Sequence, residues 1–198
     1  MKRALLLSGG MDSTSIAFWR PPDLAITIDY GQRPAAGELR AASAICQAVG
    51  IPHEVISCDL SLLGSGDLAG SEPNANAPAS EWWPYRNQML VTLAAMVCAK
   101  HGMECLEIGA LRTDGFHVDG RVEFIETLSS LLAMQEGSLR LSAPAVHLSA
   151  EELVVESKIP MELLAWSHSC HVSDYACGTC RGCEKHYRTM KALGHEPW

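Results

Sequence analysis

The stretch Leu7-Ser8-Gly9-Gly10-Met11-Asp12-Ser13-Thr14 decides the fold class, because it joins a short apolar run to a segment with helical spacing. The apolar run at residues 4–7 predicts a buried strand, and residues 12–19 predict a helix. A helix N-terminus presents unpaired N–H groups and partial positive charge, and glycine lets the backbone approach an anion closely. The stretch therefore predicts a phosphate-binding turn between a first strand and a first helix.

Three side chains of this turn suit a phosphate site. Ser8 and Ser13 can donate hydroxyl groups to phosphate oxygens, and Asp12 can orient the loop or hold Mg²⁺. A Gly-Gly pair on its own often only makes a tight bend, but its position after a buried strand favours phosphate binding. The stretch lacks the Gly-Lys-Ser/Thr ending of a Walker loop.

The remaining chain alternates between strand and helix patterns. Strands are predicted at residues 24–30 and 53–58, with an Ala-rich helix at 37–49 between them. The order βαβαβ with short connections predicts an α/β fold, a doubly wound parallel sheet with helices on both faces. Further elements are predicted at residues 86–100 (helix), 105–110 (strand), 122–135 (helix), 139–141 (strand), 150–157 (helix) and 184–193 (basic helix).

Residues 63–80 are rich in Gly, Ser, Pro, Ala and Asn and show no periodicity. Long loops of this kind in compact domains are usually functional or mobile. The segment is therefore interpreted as either an active-site flap or a disordered loop.

Composition limits the function classes. Of the 198 residues, 47% are hydrophobic, which suffices for one domain or one domain with a small subdomain. The formal net charge of -8 offers no basic surface for a nucleic acid backbone. The first apolar run is too short for a signal peptide, and no stretch approaches the roughly 20 apolar residues of a membrane helix. We expect a soluble, cytoplasmic protein.

The cysteines fall into two groups. With no export signal, the eight cysteines argue against a disulfide framework, and four of them stand singly in apolar surroundings. The other four are clustered as Cys170-x₆-Cys177-x₂-Cys180-x₂-Cys183, a spacing that can close a tetrahedral Zn²⁺ site. An iron–sulfur cluster, a redox pair and inert thiols are the alternatives. Four thiolates leave no open coordination position, so a bound zinc ion would be structural.

The glycine turn resembles the pyrophosphatase loop of enzymes that cleave ATP to AMP and pyrophosphate. Over nearly the whole chain the sequence is similar to the 7-cyano-7-deazaguanine synthase family. Besides the turn and the cysteines, the resemblance depends on Asp29-Tyr30-Gly31-Gln32-Arg33, on Trp83-Pro84-Tyr85-Arg86-Asn87, and on Asp119, Arg121, Glu123, Phe124 and Ile125.

The resemblance implies a function. The family uses two ATP-dependent rounds to convert 7-carboxy-7-deazaguanine and ammonia first to the amide and then to the nitrile, and it works as a homodimer with zinc. It implies an adenine nucleotide alpha hydrolase-like fold, with a nucleotide- and substrate-binding domain at residues 1–165 and a zinc-binding segment at 166–198. ATP and Mg²⁺ are the other implied cofactors.

The resemblance also assigns residues. The ATP-binding set is Leu7, Ser8, Gly9, Gly10, Met11, Asp12, Ser13 and Thr14. The substrate-binding set is Tyr30, Gln32, Arg33, Arg86, Asn87, Asp114, Asp119, Arg121, Glu123 and Phe124. Asp12, Arg86, Asp119 and Arg121 are the catalytic candidates.

These residue types suit the implied chemistry. Arginines can neutralise an anionic substrate or departing pyrophosphate, and Asn87 can read a purine-like edge. Asp114, Asp119 and Glu123 can hold Mg²⁺, bind ring N–H groups or accept a proton from ammonia. Each of these three acids can equally be a solvated loop carboxylate, and Arg86 can form an ordinary ion pair at a helix start.

Several residues depart from the family pattern around the implied substrate pocket. The family's Leu-Ser-Lys becomes Leu148-Ser149-Ala150, which removes a cation expected near the nucleotide. The stretch at residues 110–113 lacks the family's asparagine, and Pro34 stands where many members have histidine. Two alternatives therefore stay open: transfer of the activated acid to another amine, such as one on a partner protein, and a catalytically weakened regulatory module.

Overall fold

A computed structural model of the chain describes residues 1–196, so the last two positions of the predicted zinc-binding segment 166–198 lie outside the described residues. Its centre is a five-stranded sheet with the order β3-β2-β1-β4-β5, in which every pairing is parallel. The strands are β1 (Arg3–Leu6), β2 (Leu24–Asp29), β3 (His53–Ser57), β4 (Cys105–Glu107) and β5 (Arg140–Ser142). The predicted α/β parallel sheet is confirmed.

The helices connect the strands and cover the sheet. They are α1 (Met11–Trp19), α2 (Ala35–Val49), α3 (Gly66–Ala69), α4 (Arg86–His101), α5 (Val122–Ala133), α6 (Ala150–Ser157), α7 (Met161–Leu164) and α8 (Arg181–Ala192). Short 3₁₀ turns occupy Ser61–Leu63, Arg112–Phe116 and Val118–Gly120.

The strand order creates a switch point between β1 and β4. From β1 the chain moves outward through β2 to β3, then returns to the other side of β1 to form β4 and β5. In open parallel sheets, ligands bind at the carboxyl ends of the strands where the order reverses. The glycine turn follows β1 directly, and the loop after β4 passes close to it, since a Cβ at Gly109 would lie 3.5 Å from the Ser13 nitrogen.

Apolar residues fill both faces of the sheet. On one face, Ile26 and Leu106 pack with Val91 of α4 and Leu128 of α5. On the other, Leu5 belongs to a cluster that includes residues of α1, α2 and α6. This double burial explains why the central strands β1 and β2 are almost entirely apolar.

A third cluster attaches the C-terminal helix to the sheet domain. Met190 of α8 is fully buried and packs with Met11 of α1, Val154 of α6 and Leu164 of α7. α8 is thereby held against the helix that follows the glycine turn.

All predicted strands and helices are found within three residues of their expected bounds, and the strand predicted at 105–110 ends at Glu107. Two short helices, Gly66–Ala69 and Met161–Leu164, were not predicted. Within the segment at 63–80, residues 65–68 pack against the domain, because Leu68 is buried and its carbonyl accepts the Arg33 N–H at 2.8 Å, whereas residues 70–76 are exposed. No helix within residues 1–196 is long and apolar enough to span a membrane.

Candidate functional site

The glycine turn leaves a set of backbone donors exposed to a ligand. Gly10 is the N-cap of α1, and no side chain forms a capping hydrogen bond at this end of the helix. The first intrahelical bond is from the Thr14 N–H to the Gly10 carbonyl at 2.9 Å, so the preceding N–H groups of α1 have no partner within the helix. Such a terminus favours a bound anion.

Gly9 shapes this turn because no other residue fits there. Its φ of +76° lies in the left-handed region, and a Cβ would lie 2.6 Å from the Glu38 carbonyl oxygen and 2.9 Å from the Ala42 nitrogen of α2. These are backbone atoms, which cannot move aside as a flexible side chain could. The close approach of α2 to the turn therefore requires glycine at this position.

We expect Gly9→Ala to destabilise the fold by about 3 kcal/mol, about 1 for the left-handed backbone and about 2 for overpacking. Gly50→Ala is the matched control, because Gly50 has a φ of +78° but nothing lies within 4 Å of its Cβ position. The control should cost only about 1 kcal/mol. Equal losses in urea unfolding of the two variants would contradict the close contact with α2.

Polar side chains surround the turn. The hydroxyl groups of Ser8 and Ser13 lie 3.2 Å apart, and Ser13 also donates to the Gly10 carbonyl at 3.2 Å. Asp12 Oδ1 and Thr14 Oγ1 are buried and have no hydrogen-bond partner among the described residues. Buried polar atoms are normally paired, so these two are available for a ligand or a metal ion.

Lys185 of α8 is a site residue that the sequence did not reveal. Its Nζ lies 2.7 Å from Asp12 Oδ2 and 3.5 Å from Asp114 Oδ1. Burial raises the pKa of Asp12, while Lys185 opposes the shift. Ala150 stands where the family has a lysine, and this difference predicts that a positive charge near the turn is lost. In the structure, Lys185 of α8 supplies a positive charge there instead.

A second group of side chains lies where α2 and α4 begin. The guanidinium of Arg86 lies close enough to the hydroxyl of the buried Tyr30 to oppose the rise in its pKa that burial causes. Gln32 Nε2 donates to Glu38 Oε2 at 2.8 Å, and its Oε1 accepts the Tyr30 N–H at 2.8 Å. Gln32 therefore orients its neighbours instead of facing a ligand. Glu38, on the first turn of α2, was not among the predicted residues.

The carboxyl group of Glu38 has a pKa raised into the neutral range. Burial raises its pKa to about 7, although the hydrogen bond from Gln32 and the charge of Arg86 oppose this shift. In the unfolded chain the group titrates at the ordinary value of 4.5. Between these two values the folded protein holds a proton that the unfolded chain releases, so folding stability falls as the pH rises through this window.

We expect wild-type stability to decrease from pH 5 to 7 by up to about 1.4 kcal/mol per pH unit more than that of Glu38→Gln. The glutamine keeps a carbonyl oxygen for Gln32 but cannot titrate. Urea unfolding of both proteins across this pH range measures the difference. Parallel stability profiles would show that Glu38 is not perturbed.

Asn87 and Asp119 form a pair at the start of α4. The Asn87 N–H donates to Asp119 Oδ2 at 3.3 Å, and its Nδ2 contacts the Asp119 carbonyl at 3.4 Å. Tyr85, the N-cap of α4, has a φ of +55°, which costs about 1 kcal/mol or more in a non-glycine residue. This strained turn aims Arg86 and Asn87 toward the carboxyl edge of the sheet.

A buried carboxylate that was not predicted lies beside this pair. Glu81 Oε1 accepts Arg181 Nη1 at 2.7 Å and contacts His117 Nε2 at 3.3 Å, while its buried Oε2 has no described partner. A narrow crevice is lined by Glu81, Trp82, Trp83, Arg86, His117 and Asp119. Nothing in the local sequence marks Glu81, which follows a segment without periodicity.

The remaining predicted substrate residues lie farther out. Arg33, Arg121 and Glu123 are exposed, and Arg121 Nε donates to the Gly115 carbonyl at 3.0 Å. Phe124 is half-buried and packs against the core. The structure thus brings Tyr30, Arg86, Asn87 and Asp119 together. The residues left at the margin are Arg33, Arg121, Glu123 and Phe124.

The four clustered cysteines come together as the spacing predicts. Their Sγ atoms all lie within 4.8 Å of one another. The Sγ atoms of Cys170 and Cys180 are 3.9 Å apart, as are those of Cys177 and Cys183. Zinc–thiolate bonds of about 2.3 Å in a tetrahedron place sulfurs about 3.8 Å apart. The group could bind a single metal ion such as zinc.

Backbone donors favour the thiolate form at Cys177. The N–H groups of Thr179 and Cys180 point at its Sγ at 3.5 Å and 3.4 Å. Led by the Thr179 hydrogen bond, they lower the pKa of Cys177 to about 6. The thiolate is the form that ligates metals.

The cysteine segment also contacts the glycine turn. The His168 N–H donates to the Gly9 carbonyl at 2.8 Å, and Asp174 Oδ1 accepts the Gly37 N–H at 3.0 Å. Burial and then the nearby Arg86 charge lower the pKa of His171 to about 4. The cluster is therefore continuous with both parts of the candidate site.

The fold and site define a class: a parallel α/β protein with an open glycine turn at its switch point and a four-cysteine group beside it. A family model described as queuosine biosynthesis protein QueC matches residues 2–194. The chain belongs to the QueC family, which confirms the resemblance seen in the sequence.

Relatives named 7-cyano-7-deazaguanine synthase match along almost their whole length. The protein of Nautilia profundicola is 29% identical, covering 99% of this chain and 96% of its own. That of Methanocaldococcus jannaschii is 29% identical, covering 99% and 97%. That of Acinetobacter baylyi is 30% identical, covering 90% and 86%.

A solved structure shows a similar fold. The U34-tRNA thiolase NcsA from Methanococcus maripaludis, determined with its 4Fe-4S cluster, superimposes with a TM-score of 0.55 and 18% identity. The match covers 97% of this chain and 66% of that one. At this identity the likeness concerns the fold alone.

Proposed function

We propose that this chain is an ATP-dependent carbon–nitrogen ligase that converts 7-carboxy-7-deazaguanine and ammonia to 7-cyano-7-deazaguanine. The observation that carries the proposal is its membership of the QueC family over residues 2–194, with relatives of the same length that bear the synthase name. The open glycine turn at the switch point supports the ATP-dependent part.

The reaction proceeds in two rounds. In the first, the substrate carboxylate attacks the α-phosphorus of ATP, pyrophosphate leaves, and ammonia displaces AMP from the acyl adenylate with loss of a proton. In the second, the amide oxygen attacks a second ATP, pyrophosphate leaves again, and loss of AMP and of both protons of the amide nitrogen forms the nitrile. Each round turns a poor oxygen leaving group into AMP.

The residues around the glycine turn would bind ATP. The free N–H groups of α1 and the hydroxyls of Ser8 and Ser13 suit phosphate oxygens. Asp12 has one unpaired buried oxygen, and together with Asp114 it would hold Mg²⁺, which would screen the negative charge of the phosphates.

The group at the start of α4 would bind the deazaguanine acid. Arg86 suits the substrate carboxylate or the departing pyrophosphate, since its guanidinium lies close to Tyr30 and Glu38. Asn87 and Asp119 offer donors and acceptors for the ring edge. Arg121 and the other marginal residues would have to approach on ligand binding.

Zinc is the proposed metal of the four-cysteine group. The 3.9 Å separations match a single tetrahedral ion, whereas a four-iron cluster with thiolates at its corners spreads the sulfurs more widely. Such an ion would be structural, because four thiolates leave no position for substrate.

The remaining proposals rest on the family resemblance and the contacts above. We propose a homodimer in the cytoplasm, a compartment whose reductants keep the cysteines as thiols. We also propose that the chain divides into a nucleotide- and substrate-binding domain at residues 1–165 and a zinc-binding segment at 166–198. The hydrogen bonds of that segment to Gly9 of the glycine turn and to Gly37 of α2 favour a role in supporting the site.

Purified protein incubated with ATP, Mg²⁺, ammonium and 7-carboxy-7-deazaguanine should form the amide first and then the nitrile. Mass spectrometry should find about two AMP per nitrile, as two adenylation rounds require. A reaction without ammonium is the control and should yield neither product. Absence of both amide and nitrile in the complete mixture would contradict the proposal.

The two alternatives are not favoured by the relatives. Transfer of the activated acid to another amine, such as one on a partner protein, would give a protein adduct in intact mass spectrometry. A regulatory module would bind ligands without cleaving ATP. The same incubation distinguishes these outcomes from nitrile formation.

A further inference from the structure

Lys185 occupies an unusual position for a lysine. Its side chain is only 36% exposed, and it bridges Asp12 on the first turn of α1 and Asp114 on the 3₁₀ turn after β4. These residues are separated by long stretches of chain, so the contact depends on the complete fold. It lies at the proposed phosphate-binding end of α1.

Helix stability does not explain this position. The N-terminus of a helix carries partial positive charge, so a lysine there is unfavourable unless an anion lies beside it. In the structure the carboxylate of Asp12 supplies that anion, but only one of its two oxygens is used, and Oδ1 stays buried and unpaired. A lysine near a helix N-terminus becomes favourable when a polyphosphate binds between its ammonium group and the N-terminal N–H groups of the helix.

α8 holds Lys185 in place from both ends. Cys180 is the N-cap of α8 and Cys183 lies on its first turn, so the four-cysteine group fixes the start of the helix. Met190, farther along, is fully buried against α1 and α6. The lysine is therefore presented to the turn by its own helix and does not depend on Asp12 for its position.

The neighbouring helix supplies no competing cation. α6 packs beside α1 and begins with Ala150, Glu151 and Glu152. Arg188 and, more weakly, Lys185 of α8 lie close enough to Glu151 to lower the pKa of that carboxyl group, behind stronger effects of backbone and Ser149 hydrogen bonds. The first turn of α6 thus adds negative charge to this region, so the positive charge that a bound polyphosphate needs comes from α8.

We propose that Lys185 binds the β- and γ-phosphate oxygens of ATP and neutralises the pyrophosphate as it leaves. On binding of Mg²⁺ and ATP, the carboxylate of Asp12 turns to the metal and the ammonium group of Lys185 turns to the phosphates. The inference rests on the proposed function for ATP, and it assigns the phosphate contact to the metal-anchored C-terminal helix.

The test compares ligands with and without the terminal phosphates. Calorimetry with Mg²⁺ and α,β-methylene-ATP should show Lys185→Met binding roughly tenfold to a hundredfold more weakly than wild type. Binding of AMP should change less than threefold, because AMP lacks the phosphates that Lys185 contacts. Lys185→Arg should recover most of the affinity, since it retains the charge.

Lys191→Met is the matched control, because Lys191 lies exposed on the last turn of the same helix. It should bind both ligands as wild type does. Lys185→Gln serves as a second variant if the methionine disturbs folding, and metal content and urea unfolding report on that directly. Wild-type affinity of the Lys185 variants for the ATP analogue, or equal losses for the analogue and AMP, would overturn the inference.

The outcomes also separate this inference from the proposed function. Wild-type protein that binds the analogue but makes no amide or nitrile would refute the substrate assignment, while the lysine comparison still decides the phosphate contact. Wild-type protein that binds no analogue would overturn both.

Discussion

Replacing Cys180 by serine is expected to reduce the metal content from about one zinc ion per chain to less than about a tenth of that value. Cys180 provides one of the four thiolates and is also the N-cap of α8. Structural zinc in small sites contributes roughly 10 kcal/mol or more of apparent binding free energy. We therefore expect loss of order from residue 166 onward, poor solubility, and weaker ATP binding through displacement of Lys185.

Elemental analysis of the purified variant measures the metal content. Cys58→Ser is the matched control, because Cys58 is a half-buried cysteine outside the cluster, and it should retain the ion. Stoichiometric zinc in Cys180→Ser would contradict the ligand set. Iron in the wild-type protein would instead overturn the assignment of zinc.

Replacing Arg86 by alanine is expected to lower the turnover number by roughly 10³-fold. The guanidinium lies beside Tyr30 and Glu38 at the start of α4, where it can face charge on the substrate or on pyrophosphate. Its removal leaves the fold largely intact, because Arg86 is only partly buried at the first position of its helix. Steady-state kinetics and urea unfolding measure the two effects separately.

Arg33→Ala is the comparison variant, because Arg33 was assigned the same role from the sequence but is exposed at the margin. Its turnover should fall by less than about tenfold. If Arg86→Ala retained near-normal turnover, or if Arg33→Ala lost as much, the arrangement of the proposed substrate site would be wrong.

The fold could be predicted from the sequence because its signals are local. The turn from residue 7 to 14 lies between a strand with a buried centre and a helix, and β2 is a second apolar run with a helix after it. The cysteine spacing was equally informative, because cysteines with only two residues between them lie close together in any fold.

The site could be predicted only where its residues belong to such local patterns. Lys185 and Asp12 are 173 residues apart, and nothing in a basic helix near the C-terminus indicates which lysine faces the turn. Glu81 and Arg181 meet across 100 residues. Such contacts arise from the packing of α8 and of the loop before α4, which sequence periodicity does not describe.

The departure at Ala150 shows how a local comparison can mislead. Judged from the sequence, the missing lysine predicts a weakened nucleotide site. In three dimensions a cation is present beside Asp12, but it comes from α8. The positive charge near the turn is therefore kept although the helix that carries it is different from the one expected.

We expect the substrate carboxylate to be activated by transfer of AMP. Reaction of ¹⁸O-labelled 7-carboxy-7-deazaguanine with ATP, Mg²⁺ and ammonium, followed by mass spectrometry of the nucleotides, tests it most directly. We predict that AMP acquires one ¹⁸O atom in each round while the nitrile carries none. Unlabelled AMP, or formation of ADP and labelled phosphate in its place, would contradict the account.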